Sequence, residues 1–289
     1  SDMSEAFLAV ARDQAARVKA ETEKPQRRIQ VVGIPGSGKT FSTVTTMPKP
    51  VVIDYDNQLS DPVVRERCHA IYPMWNPDFV RDTLQLRGSP QQILCDLFDK
   101  YLIKLPLGYS VILDSGSTIA DKIKENLEKQ QEVMPKADGY WLWAEWARWW
   151  KKIFTRFKEL QCHAAFLFHE SEIRDETTGR LEKFSWALQG KEFTHRIPSF
   201  CTDVVRQIHE VKVAADKKTV ESETWRWQIK PTTDFPCAKS RRITKEISIP
   251  ASWNELTKGN LLTLHARIVV LSHIKLKLGL PSRDEKKRV

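Results

Sequence analysis

The segment Gly33-Ile34-Pro35-Gly36-Ser37-Gly38-Lys39-Thr40 narrows the possible folds of this chain more than any other feature. It satisfies the spacing G-x-x-x-x-G-K-[S/T] in full. Glycines at these points let backbone N–H groups turn inward around a phosphate chain that side chains would obstruct. The lysine brings a positive charge to β- and γ-phosphates, and the hydroxyl after it suits Mg²⁺. Such a loop needs a strand before it and a helix after it, whose positive dipole end faces the phosphates. Both are expected here: Arg28-Ile29-Gln30-Val31-Val32 is a β run, and Thr40 to Thr46 is compatible with a helix. That context tells against a chance match in a Gly/Ser loop. The implied ligand is ATP with Mg²⁺, bound by Gly33, Pro35, Gly36, Ser37, Gly38, Lys39 and Thr40, with Thr40 on the metal.

Further apolar runs place the rest of the core. Residues 50–54, 109–114 and 163–168 read as buried strands, and 91–104, 118–133 and 140–160 as helices. Residues 61–90 lack a clear period and read as connecting structure. The polar stretch 171–185 reads as a loop or hairpin. Alternation in 204–213 and 220–230 predicts two antiparallel strands joined across Ala215-Asp216-Lys217-Lys218, followed by a short β run at 243–249. A helix is expected within residues 4–22 and another near 260–278, before a basic tail from Arg283 to Val289. The division is therefore an N-terminal helix (1–27), a core (28–256), and a C-terminal helix with its tail (257–289). Strand–helix alternation followed by antiparallel strands predicts an α/β fold with a mainly parallel sheet, flanking helices and an antiparallel extension.

A phosphate loop of this kind needs an acid at the tip of a nearby strand to hold Mg²⁺. Ser110-Val111-Ile112-Leu113-Asp114 supplies Asp114, whose plainer role would be a turn or helix cap before Ser115. Many ATPases place a glutamate directly after this aspartate, but here Ser115 follows, so the group that deprotonates water must come from elsewhere. The second β run offers Asp54 and Asp56. Asp56 is the candidate base, because Asp54 continues the apolar run and suits a strand cap; both could be caps. The fourth run ends in His169-Glu170, where His169 could sense the γ-phosphate or simply satisfy the strand end.

Bulk properties set outer limits. Lysine and arginine number 46 against 37 acids, a net +9, and the pI is about 9.3, which is compatible with a polyanionic partner such as nucleic acid. The five cysteines are scattered without a C-x-x-C pair, so neither a disulfide framework nor a zinc site is suggested and a reducing cytoplasm is expected. Ser1-Asp2-Met3-Ser4 reads as a short scar before a native Met3, with no signal peptide. The apolar runs are too short to span a bilayer, so no membrane partner is expected.

Together GIPGSGKT, Val-Val-Ile-Asp-Tyr-Asp (51–56), Val-Ile-Leu-Asp-Ser (111–115) and Ala-Phe-Leu-Phe-His-Glu (165–170) resemble the RecA-like P-loop ATPases. They are similar, more narrowly, to phage-encoded nucleotide-binding proteins, including single-strand annealing ATPases of recombination. Leu188-Gln189-Gly190-Lys191 ahead of Asp203-Val204-Val205 extends the likeness, which covers roughly residues 28–256. The resemblance implies a RecA-like P-loop NTPase core, single-stranded DNA as partner, a homo-oligomeric ring or filament, and the bacterial host cytoplasm as location. It also implies sites between subunits, with a basic finger from one reaching phosphates on the next. Lys239, Arg241 and Arg242 fall where it would place that finger, and Arg241 is the candidate. One departure is aspartate where RecA-like enzymes usually carry glutamate after the second strand.

Five tryptophans lie between residues 141 and 150. Interleaved with Arg148, Lys151 and Lys152 they could stack bases of single-stranded DNA. The spacing of Trp143, Trp146, Trp150 and Phe154 instead predicts a helix stripe packed on the sheet, leaving Trp141 and Trp149 outward. The functional classes left open are a DNA-dependent ATPase of recombination, annealing or replication; a helicase or helicase-loader motor; a P-loop small-molecule kinase with Arg174 and Arg180 as a faint lid; and a nucleotide-gated binding module.

Overall fold

The structure is a computed structural model that describes residues 26–59, 61–134, 139–186, 197–213, 220–242 and 244–257. The expected terminal helices, the basic tail, Leu188 to Lys191 and the turn at Ala215 to Lys218 lie outside the described residues.

The apolar runs form the strands Arg28–Gly33 (β1), Pro50–Asp54 (β2), Ala70–Pro73 (β3), Ser110–Asp114 (β4), His163–Arg174 (β5), Leu181–Trp186 (β6), Asp203–Val213 (β7), Val220–Gln228 (β8) and Ser248–Pro250 (β9). The helices are Lys39–Thr46 (α1), Pro62–Arg67 (α2), Pro90–Lys100 (α3), Gly116–Glu132 (α4), Gly139–Glu159 (α5) and Trp253–Thr257 (α6). Sheet order is β3-β2-β4-β5-β1-β7-β8-β9, with β6 paired to β5. Pairing is parallel from β3 through β7 and antiparallel at β7–β8, β8–β9 and β5–β6. This is the expected α/β class: a mainly parallel sheet with an antiparallel extension, in which β5 separates the P-loop strand from the strand ending in Asp114.

Successive residues of a strand face opposite sides of the sheet, so a strand covered on both faces reads as a continuous apolar run. Val32, Val51, Ile53, Val111, Leu113, Phe166 and Phe168 pack into one core with α3, α4 and α5. Ile29, Val31, Val52, Ile112, Leu167 and Val205 pack into a second core with α1 and α6. On α5 the buried stripe is Leu142, Trp146, Trp150, Ile153, Phe154 and Phe157, and the Trp150 ring lies 5.9 Å from that of Phe166. The expected stripe was one residue off at its start. Trp143 is 40% exposed and Trp141 is half-buried against the core, because the four-residue step back from Trp146 lands on Leu142. Core packing nevertheless claims most of the segment.

Two further differences have local causes, and at 171–185 the structure takes one of the two expected forms. Residues 61–90 contain α2 and the edge strand β3, a strand of only four half-buried residues that leaves almost no periodic signal. The 171–185 stretch is a hairpin, closed where the Asp175 carboxylate accepts hydrogen bonds from the Thr177 and Thr178 amides. The short β run expected at 243–249 is confined to β9.

Asp203 opens β7 at the end of the sheet away from the P-loop. It is buried and satisfied by the Arg27 guanidinium at 3.1 Å, the Ser240 hydroxyl at 2.6 Å and the Arg241 amide at 2.9 Å. Gly116, the first residue of α4, is held against the aromatic face of β5. A Cβ there would fall 2.2 Å from the Phe168 ring and 2.6 Å from that of Phe166. Overpacking of that kind costs about 1–3 kcal/mol. Gly116→Ala is expected to lower the urea midpoint accordingly, and an unchanged midpoint would mean that the rings yield freely.

Candidate nucleotide-binding and catalytic site

The P-loop runs from the end of β1 into α1, and its glycines are required by geometry. Gly36 and Gly38 hold φ at +76° and +81°, a left-handed backbone that side chains disfavour. At Gly33 a Cβ would fall 2.8 Å from the Ser37 hydroxyl and 3.0 Å from Gln207 Cβ, so only glycine lets β7 pass this close. Lys39 turns back over the loop, donating from Nζ to the carbonyls of Gly33 and Ile34, each at 2.9 Å. Burial lowers its pKa, and the negative charges of Asp114, Glu170 and Asp56 work the other way. The Ser37 hydroxyl is buried with no hydrogen-bond partner among the described residues.

The acids of the site stand at the carboxyl ends of the parallel strands, where open α/β sheets bind ligands. Asp114, at the tip of β4, accepts a 2.6 Å hydrogen bond from the Thr40 hydroxyl through Oδ2. Burial pushes its carboxyl up to about 6; Thr40 and Lys39 oppose the rise, while Asp56 and Asp54 add to it. Asp54 is spent on structure: Oδ1 accepts from the amides of Asp56 and Asn57, and Oδ2 from the Trp75 indole at 3.2 Å. The strand-cap reading of Asp54 therefore holds. Asp56 lies beyond that cap, buried, with Oδ2 3.7 Å from His169 Nε2. Burial raises its carboxyl, but the neighbouring polar groups of His169, Thr118 and Ser115 outweigh it and hold the group below its ordinary value. His169 follows the buried part of β5, its amide bonded to the Ser117 hydroxyl at 2.9 Å.

Lys39, Thr40, Asp56, Asp114 and His169 are thus brought together. Arg241 is not brought to the same site. It is exposed beside Asp203 at the opposite end of the sheet, and Arg242 next to it pairs with Glu255 and Glu246. Two further groups at the phosphate loop escaped the sequence reading. Glu170 and Arg206 form a bidentate ion pair of 2.7 and 3.0 Å between β5 and β7, where both strands run past the end of β1. Gln207 accepts from the Ser42 hydroxyl of α1 at 2.9 Å and from the Trp227 indole at 2.6 Å, tying the P-loop helix to β7 and β8. Their signal is the same as that of His169-Glu170: Val204-Val205-Arg206-Gln207 is an apolar run ending in a polar pair.

The cradle fits a triphosphate with its metal. Two positive-φ glycines leave the loop's interior to backbone donors. Thr40 and Asp114 put a neutral and an acidic oxygen side by side, a hard donor pair that suits Mg²⁺.

Residues 25–233 match the AAA domain family, and the chain belongs to that family. It is a P-loop nucleotide-binding ATPase domain built on a mainly parallel sheet with an antiparallel extension. Solved structures similar to it include the flagellar accessory protein FlaH from Methanocaldococcus jannaschii, at 8% identity and a TM-score of 0.35, covering 77% of this chain and 83% of that one. Another is the RadB recombinase, at 9% identity and a TM-score of 0.31, covering 70% and 87%. No curated relative matches. Among the described residues, no helix is long and apolar enough to cross a membrane.

The Asp114 carboxyl makes a pH prediction for the metal- and nucleotide-free protein. Its folded pKa lies above the unfolded value, so the neutral form is favoured on folding. The stability this contributes is complete below about pH 4 and lost as pH rises towards 6. Asp114→Asn removes the burden of the buried charge, and is expected to raise stability above pH 6 by up to ~3 kcal/mol. The gain should fade as the pH falls towards 4. A thermal shift that is independent of pH would contradict this.

Proposed function

We propose that this chain is a Mg²⁺-dependent ATPase of phage origin that assembles with copies of itself on single-stranded DNA, in recombination, annealing or replication. The observation that carries the catalytic part is the Thr40–Asp114 hydrogen bond beneath the glycine cradle, with Asp56 and His169 placed together beside it. Thr40 and Asp114 would hold Mg²⁺, which neutralises charge on the β- and γ-phosphate oxygens when bound. Lys39 would exchange its two carbonyl partners for phosphate oxygens. Asp56, kept ionised at neutral pH, would orient a water and accept its proton as the water oxygen attacks the γ-phosphorus. The bond to the β-phosphate oxygen breaks, and ADP and phosphate leave. His169, in reach of Asp56, would report the state of the γ-phosphate to β5 and the β5–β6 hairpin.

The DNA and assembly parts rest on the +9 charge and on the motif likeness. Arg241 would act from a neighbouring copy, since in its own chain it stands at the far end of the sheet from the P-loop. A helicase or helicase-loader motor is the nearest alternative within the same chemistry. The kinase alternative is disfavoured by the hairpin, where Arg174 is engaged with Glu172 and the Gly179 carbonyl.

ATP turnover with and without single-stranded DNA tests this reading. DNA is expected to raise turnover in the wild type, and Lys39→Ala is expected to abolish it. Asp56→Asn should retain ATP affinity while losing turnover by about 100-fold or more, the usual worth of a general base. Turnover that ignores DNA but requires a small phosphate acceptor would overturn the proposal. Near-normal turnover in Asp56→Asn would move the base elsewhere.

A further inference from the structure

The β7–β8 hairpin carries an aromatic pair that the catalytic reading leaves unused. Same-face positions along two antiparallel strands recur every second residue. Gln207 lies opposite Trp227, and the next same-face pair is His209 opposite Trp225. The first pair fastens the hairpin to the P-loop helix through the Ser42–Gln207–Trp227 hydrogen bonds. The second stands beside the loop itself. A Cβ on Gly38 would fall 2.8 Å from Trp225 Nε1 and 3.0 Å from its Cδ1, so the edge of the indole lies against the phosphate cradle. His209 stacks on Trp225 with ring centroids 5.0 Å apart and planes within 2°. Trp225 remains 37% exposed, although the buried tryptophans nearby show that this fold can cover an indole completely.

An indole backed by a parallel ring, fixed in place and open at the mouth of a phosphate site, has the properties of a base-stacking surface. We propose that the Trp225–His209 pair is the platform on which the nucleobase of the bound nucleoside triphosphate stacks, and that it supplies much of the affinity beyond the phosphates. This rests on the nucleotide-binding reading of the P-loop. The indole's contact with Gly38 favours the base of that nucleotide over a base of single-stranded DNA.

Binding of Mg²⁺–ATP and of Mg²⁺–tripolyphosphate to the full chain, measured by calorimetry beside that of an oligo-dT strand, separates the outcomes. Trp225→Ala is expected to weaken ATP about tenfold or more, the range of one base–aromatic stack, and to leave tripolyphosphate unchanged. Trp225→Phe should keep most of the ATP affinity. In the wild type, ATP but not tripolyphosphate should change tryptophan emission, and Trp225→Phe should lose that change. Unaltered ATP affinity in Trp225→Ala would overturn the proposal. So would an equal loss for both ligands, which would make Trp225 a buttress for Gly38, or a loss confined to an oligo-dT strand. A wild type that binds neither ligand would overturn the nucleotide reading itself.

Discussion

The hydrogen bond from Thr40 to Asp114 joins the two halves of the site. Thr40 belongs to the helix that leaves the P-loop; Asp114 ends a strand that is separated from the P-loop strand by β5. The contact forms only if three parallel strands stand in register and α1 begins at their carboxyl ends. A buried carboxylate is costly without partners. Here its partners are a hydroxyl and a lysine charge, and the carboxyl stays well above the ordinary range. The site thus retains a destabilising acid where a phosphate-bound cation needs one, which is the usual conflict between stability and function.

Around that bond the remaining acids divide by what satisfies them. Asp54 is consumed by two backbone amides and the Trp75 indole, so it shapes the turn after β2. Asp56, two residues on, is held by weaker and more distant groups and keeps its charge available. Glu170 is closed by Arg206 in a bidentate pair, which neutralises it while leaving its field on Lys39. These three acids around one site therefore have distinct tasks, assigned by partners rather than by residue type.

The P-loop, the strand tips and the sheet class were legible in the sequence because each is written in local order: glycines at fixed spacing, or apolar runs ending in a polar residue. Asp56 could be preferred over Asp54 on the same local grounds. Glu170–Arg206 and Ser42–Gln207–Trp227 were not legible, because their members come from strands that become neighbours only when β7 pairs with β1. Trp143 was misjudged because a helix stripe can start on either of two adjacent residues, and only contact with β5 selects Leu142. Arg241 was placed by likeness of order, and order carries no information about which end of the sheet a loop returns to.

What the sequence determined alone is the phosphate loop, since Gly36 and Gly38 at positive φ and Lys39 at a set distance follow from local stereochemistry. Tertiary structure decided how that loop is surrounded. It turned Asp114 to Thr40, locked the β7–β8 hairpin to α1, and brought the Trp225 edge against Gly38. The reason is physical: backbone turns are settled by neighbouring residues, whereas a partner across the sheet is settled by strand order, and strand order is the outcome of burying both faces at once.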